Sequence, residues 1–154
     1  MAEFPKSFPL DEFLKSERAT RLGIPNAPTI AAKANLAALA WNVLQPLRDA
    51  MGGPIKVTSG YRSPLLNSKT PGSSTTSQHS LGEAADIVSL GGFTNAAMFH
   101  YIRQNLPFDQ LIWEYGTAKN PQWVHVSFRS QKRRGMILRT TGTPQKPTYA
   151  KWAA

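Results

Sequence analysis

His79 and Asp86 stand seven residues apart in Ser77-Gln78-His79-Ser80-Leu81-Gly82-Glu83-Ala84-Ala85-Asp86, with Gly82 between them. Along a helix that spacing separates two side chains by about 10 Å, too far for them to act together. A loop must therefore join them, and the run Ala84 to Leu90 places Asp86 on a strand, where a rigid backbone can aim its carboxylate. Another histidine occurs in Trp123-Val124-His125-Val126-Ser127, and the chain has three histidines in all. Two imidazole nitrogens and one carboxylate make a three-ligand shell for a catalytic zinc, with a fourth position left open for water. They suit zinc at about 2.0–2.2 Å, and other divalent metals accept the same donors. The chain has no cysteine, which excludes disulfides and Cys-rich zinc sites and confines metal ligands to histidine and carboxylate.

The remaining patterns build an α+β chain. Ser7 before Leu10-Asp11-Glu12-Phe13-Leu14 reads as a capped short helix with acids in its first turn. Leu36, Leu39, Ala40, Val43, Leu44 and Leu47 recur at threes and fours, the stripe of an amphipathic helix that Pro46 should kink or end. Gly52-Gly53-Pro54 turns the chain into a strand over 55–59, and residues 64–76 read as a loop. Thr94 caps a helix reaching about Leu106, with His100 assigned to its surface or packing. Gln110 to Tyr115 and Gln122 to Phe128 alternate around turn signals from Gly116 to Pro121, which predicts a hairpin. On the second strand His125 shares a face with Trp123 and Ser127, while Val124, Val126 and Phe128 turn to the core. Met136 to Thr140 adds a short last strand. The expected organisation is one domain over residues 1–140, followed by an irregular basic tail over 141–154.

Ser-x-His-x-x-Gly-x-Ala-x-Asp, preceded by Ser59-Gly60-Tyr61-Arg62-Ser63-Pro64 and followed by Trp-Val-His-Val-Ser, resembles the M15 metallopeptidases. That family contains zinc D-alanyl-D-alanine carboxypeptidases and phage L-alanyl-D-glutamate endopeptidases that cut peptidoglycan stem peptides. Asn35-Leu36 through Gln45-Pro46-Leu47-Arg48 is similar to the family's lead-in helix, and Phe108-Asp109-Gln110-Leu111-Ile112 to its penultimate strand. The resemblance implies a small antiparallel sheet flanked by helices, with the zinc cleft on the sheet, a Hedgehog/DD-peptidase-like arrangement. It implies Zn2+ held by His79, Asp86 and His125. It also implies that Arg62 stabilises a tetrahedral oxyanion or binds a substrate carboxylate, tasks its permanent charge and planar fork suit. Ser77 is assigned to hydrogen-bonding a ligand or substrate, and Tyr61 to packing.

Several relatives carry a general base two or three residues before the last ligand histidine. Here Gln122 and Trp123 occupy those places, and neither can serve. Glu114 is the nearest carboxylate. If the hairpin closes about Lys119-Asn120, Glu114 falls opposite His125 and shares its face. It is the expected base, with Asp109 in reserve. The absence of a carboxylate beside His125 leaves open a catalytically inactive, zinc-containing module that binds a wall peptide or a protein.

The net charge of +9 is concentrated late in the chain. After Glu114 there is no acid, while Lys119, Arg129, Lys132, Arg133, Arg134, Arg139, Lys146 and Lys151 follow. Such an end attracts polyanions, and anionic envelope polymers are the partner expected; no nucleic-acid motif accompanies the charge. No run of eighteen apolar residues suggests a transmembrane span, and the first residues lack the apolar region of a signal peptide. The expectation is a chain made in the cytoplasm that reaches the wall after release in host lysis, or on a virion.

Overall fold

Thr29 and Thr94 start the two longest α-helices in the same way. Each side-chain oxygen accepts a hydrogen bond from the backbone three residues on, from Ala32 N and Ala97 N, at 3.0 Å. This satisfies one of the donors that a helix start leaves open. The computed structural model describes residues 2–154. The first of these helices, α3 (Ile30–Leu39), begins well before Leu36 and runs through a π-helical turn, Ala40–Leu44, into α4 (Gln45–Met51). Pro46 lacks the N–H that would continue the ladder. The wider turn absorbs the defect: Gln45 N donates to Ala40 O, five residues back, and the helix continues. The second, α6, spans Asn95–Asn105.

Two short helices precede α3. In α1 (Leu10–Leu14) Ser7 is not the cap; Pro9 occupies that position with no side-chain hydrogen bond, because a turn from Pro5 to Phe8 already uses the residues around Ser7. A further helix, α2 (Glu17–Leu22), is capped by Ser16 and closed by Gly23. Within the expected loop 64–76, Ser63 caps α5 (Pro64–Ser68), whose first-turn proline has no helical donor to lose.

The sheet has six strands in the order β1-β2-β4-β3-β5-β6: β1 (Ile55–Ser59), β2 (Ala84–Ser89), β3 (Gln110–Glu114), β4 (Trp123–Ser127), β5 (Met136–Thr143) and β6 (Lys146–Lys151). Every neighbouring pair is antiparallel except β3 with β5. The expected irregular tail over 141–154 is therefore replaced by a hairpin. Thr143 Oγ1 accepts from Lys146 N across its turn, and β6 is an edge strand, where Pro147 costs no interior ladder bond. Trp152 secures the end of the hairpin on α6, with its ring 5.2 Å from that of Phe99 and the Arg103 guanidinium over it. Composition misread this segment because its order comes from β5 and α6.

The helices cover one face of the sheet. Val57, Ala85, Ile87, Leu111, Trp113, Val124 and Val126 alternate onto that face and pack with Leu36, Leu39, Val43, Leu47, Met98, Phe99 and Ile102. Each large side chain so buried contributes on the order of 1.5–3 kcal/mol. Strand alternation sends the intervening residues, among them Asp86, Ile112, Glu114, His125 and Thr140, to the opposite face.

Candidate active site

Asp86 on β2 and His125 on β4 are direct partners in the antiparallel ladder. Opposed residues share a face, and His125 Nδ1 lies 3.1 Å from Asp86 Oδ1. His79 arrives from outside the sheet on a 3-10 turn, Gln78–Leu81. Gly82 ends that turn with φ +75°, and a Cβ there would collide with the Ala32 carbonyl of α3. Glycine thus lets the segment press against the helix while turning into β2. His79 Nε2 comes within 3.6 Å of Asp86 Oδ2, on the carboxylate's other oxygen. His79 Nδ1–H donates to the Gly60 carbonyl at 2.7 Å, which fixes the tautomer and leaves the Nε2 lone pair facing Asp86.

The charges are set for metal coordination. Burial pushes His79 below its ordinary pKa, against the opposing pull of Asp86. Burial acts the other way on Asp86, but His79 and His125 outweigh it and hold the carboxyl well below the usual range. One ligand atom from each of His79, Asp86 and His125 falls within a set spanning at most 4.8 Å. A tetrahedral shell with bonds near 2.1 Å places donors about 3.4 Å apart, so a small inward movement closes this set on one ion. His125 Nε2 is buried without a hydrogen-bond partner, an orphan that ordinary packing does not explain. The residues fit a divalent metal.

Glu114 shares this face, but its ladder partner is Trp123, and His125 pairs with Ile112. The expected direct opposition to His125 is corrected by two residues. Tyr115 and Gly116 take left-handed φ values of 54° and 69°, and Gln122 N donates to Glu114 O at 2.9 Å. The turn consequently centres on Ala118-Lys119. A slip of two preserves the face, so Glu114 sits diagonally from His125 on the site side. Burial, reinforced by the Asp86 charge, raises the Glu114 carboxyl to about 7, with His125 and the Thr140 hydroxyl opposing.

Arg62 hydrogen-bonds Ser77 Oγ at 3.4 Å rather than a carboxylate, and its Nε is buried with no partner. Ser77 Oγ also accepts from His79 N at 3.2 Å, so one hydroxyl links the arginine to the histidine's backbone. Tyr61 packs in the core. His100 lies among the rings of Phe99, Trp113 and Trp152. Asp109, the reserve base, is wholly buried and occupied: Arg134 Nη2 donates to it at 2.7 Å and Gln78 Nε2 at 3.0 Å.

His79, Asp86, His125, Glu114, Arg62 and Ser77 line one cleft of about 540 Å³, and Tyr61, His100 and Asp109 lie outside its lining. Gln78 and Tyr149 were missed by sequence reasoning. Gln78 ties the turn behind His79 to Asp109 and Glu83, and no pattern around it marks that task. Tyr149 lies in the segment read as irregular.

A buried pair of imidazoles around an ionised carboxylate, with a protonatable glutamate on the same cleft face, has the make-up of a metal-dependent hydrolase. A family model described as Peptidase M15 matches residues 6–127, and the chain belongs to this family of peptidases. No curated protein matches the chain. The matched span contains His79, Asp86, His125, Arg62, Ser77 and Glu114 and ends ahead of β5.

Proposed function

We propose that the chain is a zinc-dependent peptidase that hydrolyses peptide bonds in bacterial peptidoglycan stem peptides, of the phage endolysin type. The observation that carries this reading is the placing of His79, Asp86, His125 and Glu114 around one cleft. His79, Asp86 and His125 would hold the ion. Zinc, when bound, supplies a Lewis acid that polarises the scissile carbonyl and makes a neighbouring water more acidic.

The chain's own groups do the rest. Glu114 accepts a proton as the water oxygen attacks the carbonyl carbon, then returns it to the leaving nitrogen as the C–N bond breaks. The Arg62 guanidinium, oriented by Ser77, takes the charge that develops on the carbonyl oxygen or a free carboxylate of the peptide. Arg18 and Arg134 also line the cleft, which favours anionic peptides such as stems rich in free carboxylates.

The loop at 129–134 and the β5–β6 hairpin carry all the late cations but Lys119, a surface suited to anionic envelope polymers. No helix among the described residues is long and apolar enough to cross a membrane. Incubation with peptidoglycan and defined stem peptides, read by mass spectrometry, tests the reading. Release of terminal D-alanine assigns a carboxypeptidase and a cut between L-alanine and D-glutamate an endopeptidase. No product from protein carrying one zinc per chain would replace the enzyme with a wall-peptide binding module.

A further inference from the structure

The β5–β6 hairpin lies beyond the span matched by the family model, yet it forms part of the cleft. Its register explains how. Glu114 pairs with Thr140 across β3–β5, and Thr140 pairs with Tyr149 across β5–β6. Paired residues share a face, so Glu114, Thr140 and Tyr149 form one row across three strands on the site side. Tyr149 lines the cleft and is half exposed, so its phenol is open to a bound molecule.

The hairpin is also held at its tip. Gly72, in the segment that lines the opposite wall, takes φ +74°; a Cβ there would collide with the Pro144 carbonyl and meet Pro147 Cδ at 3.3 Å. This contact between the two walls, with Trp152 docked on Phe99 at the other end, anchors β6 at both ends. A residue anchored this way can aim at a substrate. Burial, with the Glu114 and Asp86 charges adding to it and Arg62 opposing, raises the Tyr149 phenol above its ordinary pKa and keeps it a hydrogen-bond donor.

We propose that Tyr149 is a substrate-contacting residue supplied by the C-terminal hairpin, donating its phenolic hydrogen bond to the peptide lodged between Arg62 and Glu114. This rests on the peptidase reading. Gly72 acts through it as a positioning residue by letting the hairpin tip approach.

The test compares wild type with Tyr149→Phe, which keeps the ring and removes only the hydroxyl, on a defined stem peptide. The zinc-loaded variant should lose about 10- to 100-fold in kcat/KM, the range of a hydrogen bond worth about 1.4–2.7 kcal/mol in the transition state. Calorimetric binding of the same peptide to the metal-free protein should weaken several-fold. Zinc content and melting temperature should stay at the wild-type level. Gly72→Ala should also slow cleavage, and slow it far less when Tyr149 is already phenylalanine. Tyr149→Phe within twofold of wild type in both cleavage and binding would overturn the proposal while leaving the peptidase intact. A wild-type protein that cleaves no stem peptide would remove the peptidase reading and this proposal with it.

Discussion

Asp86 and His125 face each other across the β2–β4 ladder, with one carboxylate oxygen 3.1 Å from the ring nitrogen, while the other oxygen lies 3.6 Å from His79. One carboxylate therefore ties a sheet residue to a residue carried in by a turn. The arrangement needs a ladder register, a glycine at 82 and the Gly60 carbonyl behind His79.

Removal of any one of these three side chains should remove the metal. His79→Ala, Asp86→Asn and His125→Ala should each fall from one zinc per chain to near none after dialysis, measured by elemental analysis. Wild type should also gain about 2.7 kcal/mol of stability at a zinc concentration a hundred times its dissociation constant, and the variants none. Full zinc content in Asp86→Asn would contradict the assignment.

Glu114→Gln separates metal binding from turnover. It should retain one zinc per chain and lose between about 10² and 10⁴ in kcat, the usual worth of a positioned acid–base group. A near-normal rate would move the base role to another residue.

The same residue predicts a pH dependence of the metal-free protein. Burial and Asp86 raise the Glu114 carboxyl from 4.5 to about 7. Its contribution to stability is therefore fully present below pH 4.5 and is lost as pH rises through 7. Glutamine cannot ionise, so Glu114→Gln should gain on wild type by about 3 kcal/mol between pH 4 and pH 8.5. Urea denaturation at the two pH values measures this. A difference that does not change with pH would show that the carboxyl titrates normally.

Asp109 should behave as a structural residue. Asp109→Ala leaves Arg134 without its acceptor and Gln78 with Glu83 alone, and should cost about 1–3 kcal/mol in denaturant unfolding. Lost turnover with unchanged stability would instead restore Asp109 as a base.

How much of this was legible depends on where the information lies. His79, Asp86 and His125 could be picked out because each sits in a local pattern, and the alternation of β4 already gave the face of His125. The face of Glu114 was legible as well, since side-chain direction has period two. Its register was not, because that depended on left-handed φ at Tyr115, a non-glycine residue with no sequence signal for it. Helix α2 escaped because its six residues are too few to show a stripe. Tyr149 escaped because β6 draws its order from β5 and from Trp152 against α6, contacts that local composition cannot report. The reading at Pro46 was right about the defect, but the π-helical turn that repairs it is a backbone response.

The most direct test of the central claim is a zinc titration of metal-free protein with stem-peptide cleavage followed by mass spectrometry. Cleavage should rise with added zinc and saturate at one ion per chain in the wild type, and stay absent in His125→Ala at every zinc level. Cleavage by the metal-free wild type, or none at one zinc per chain, would contradict the account.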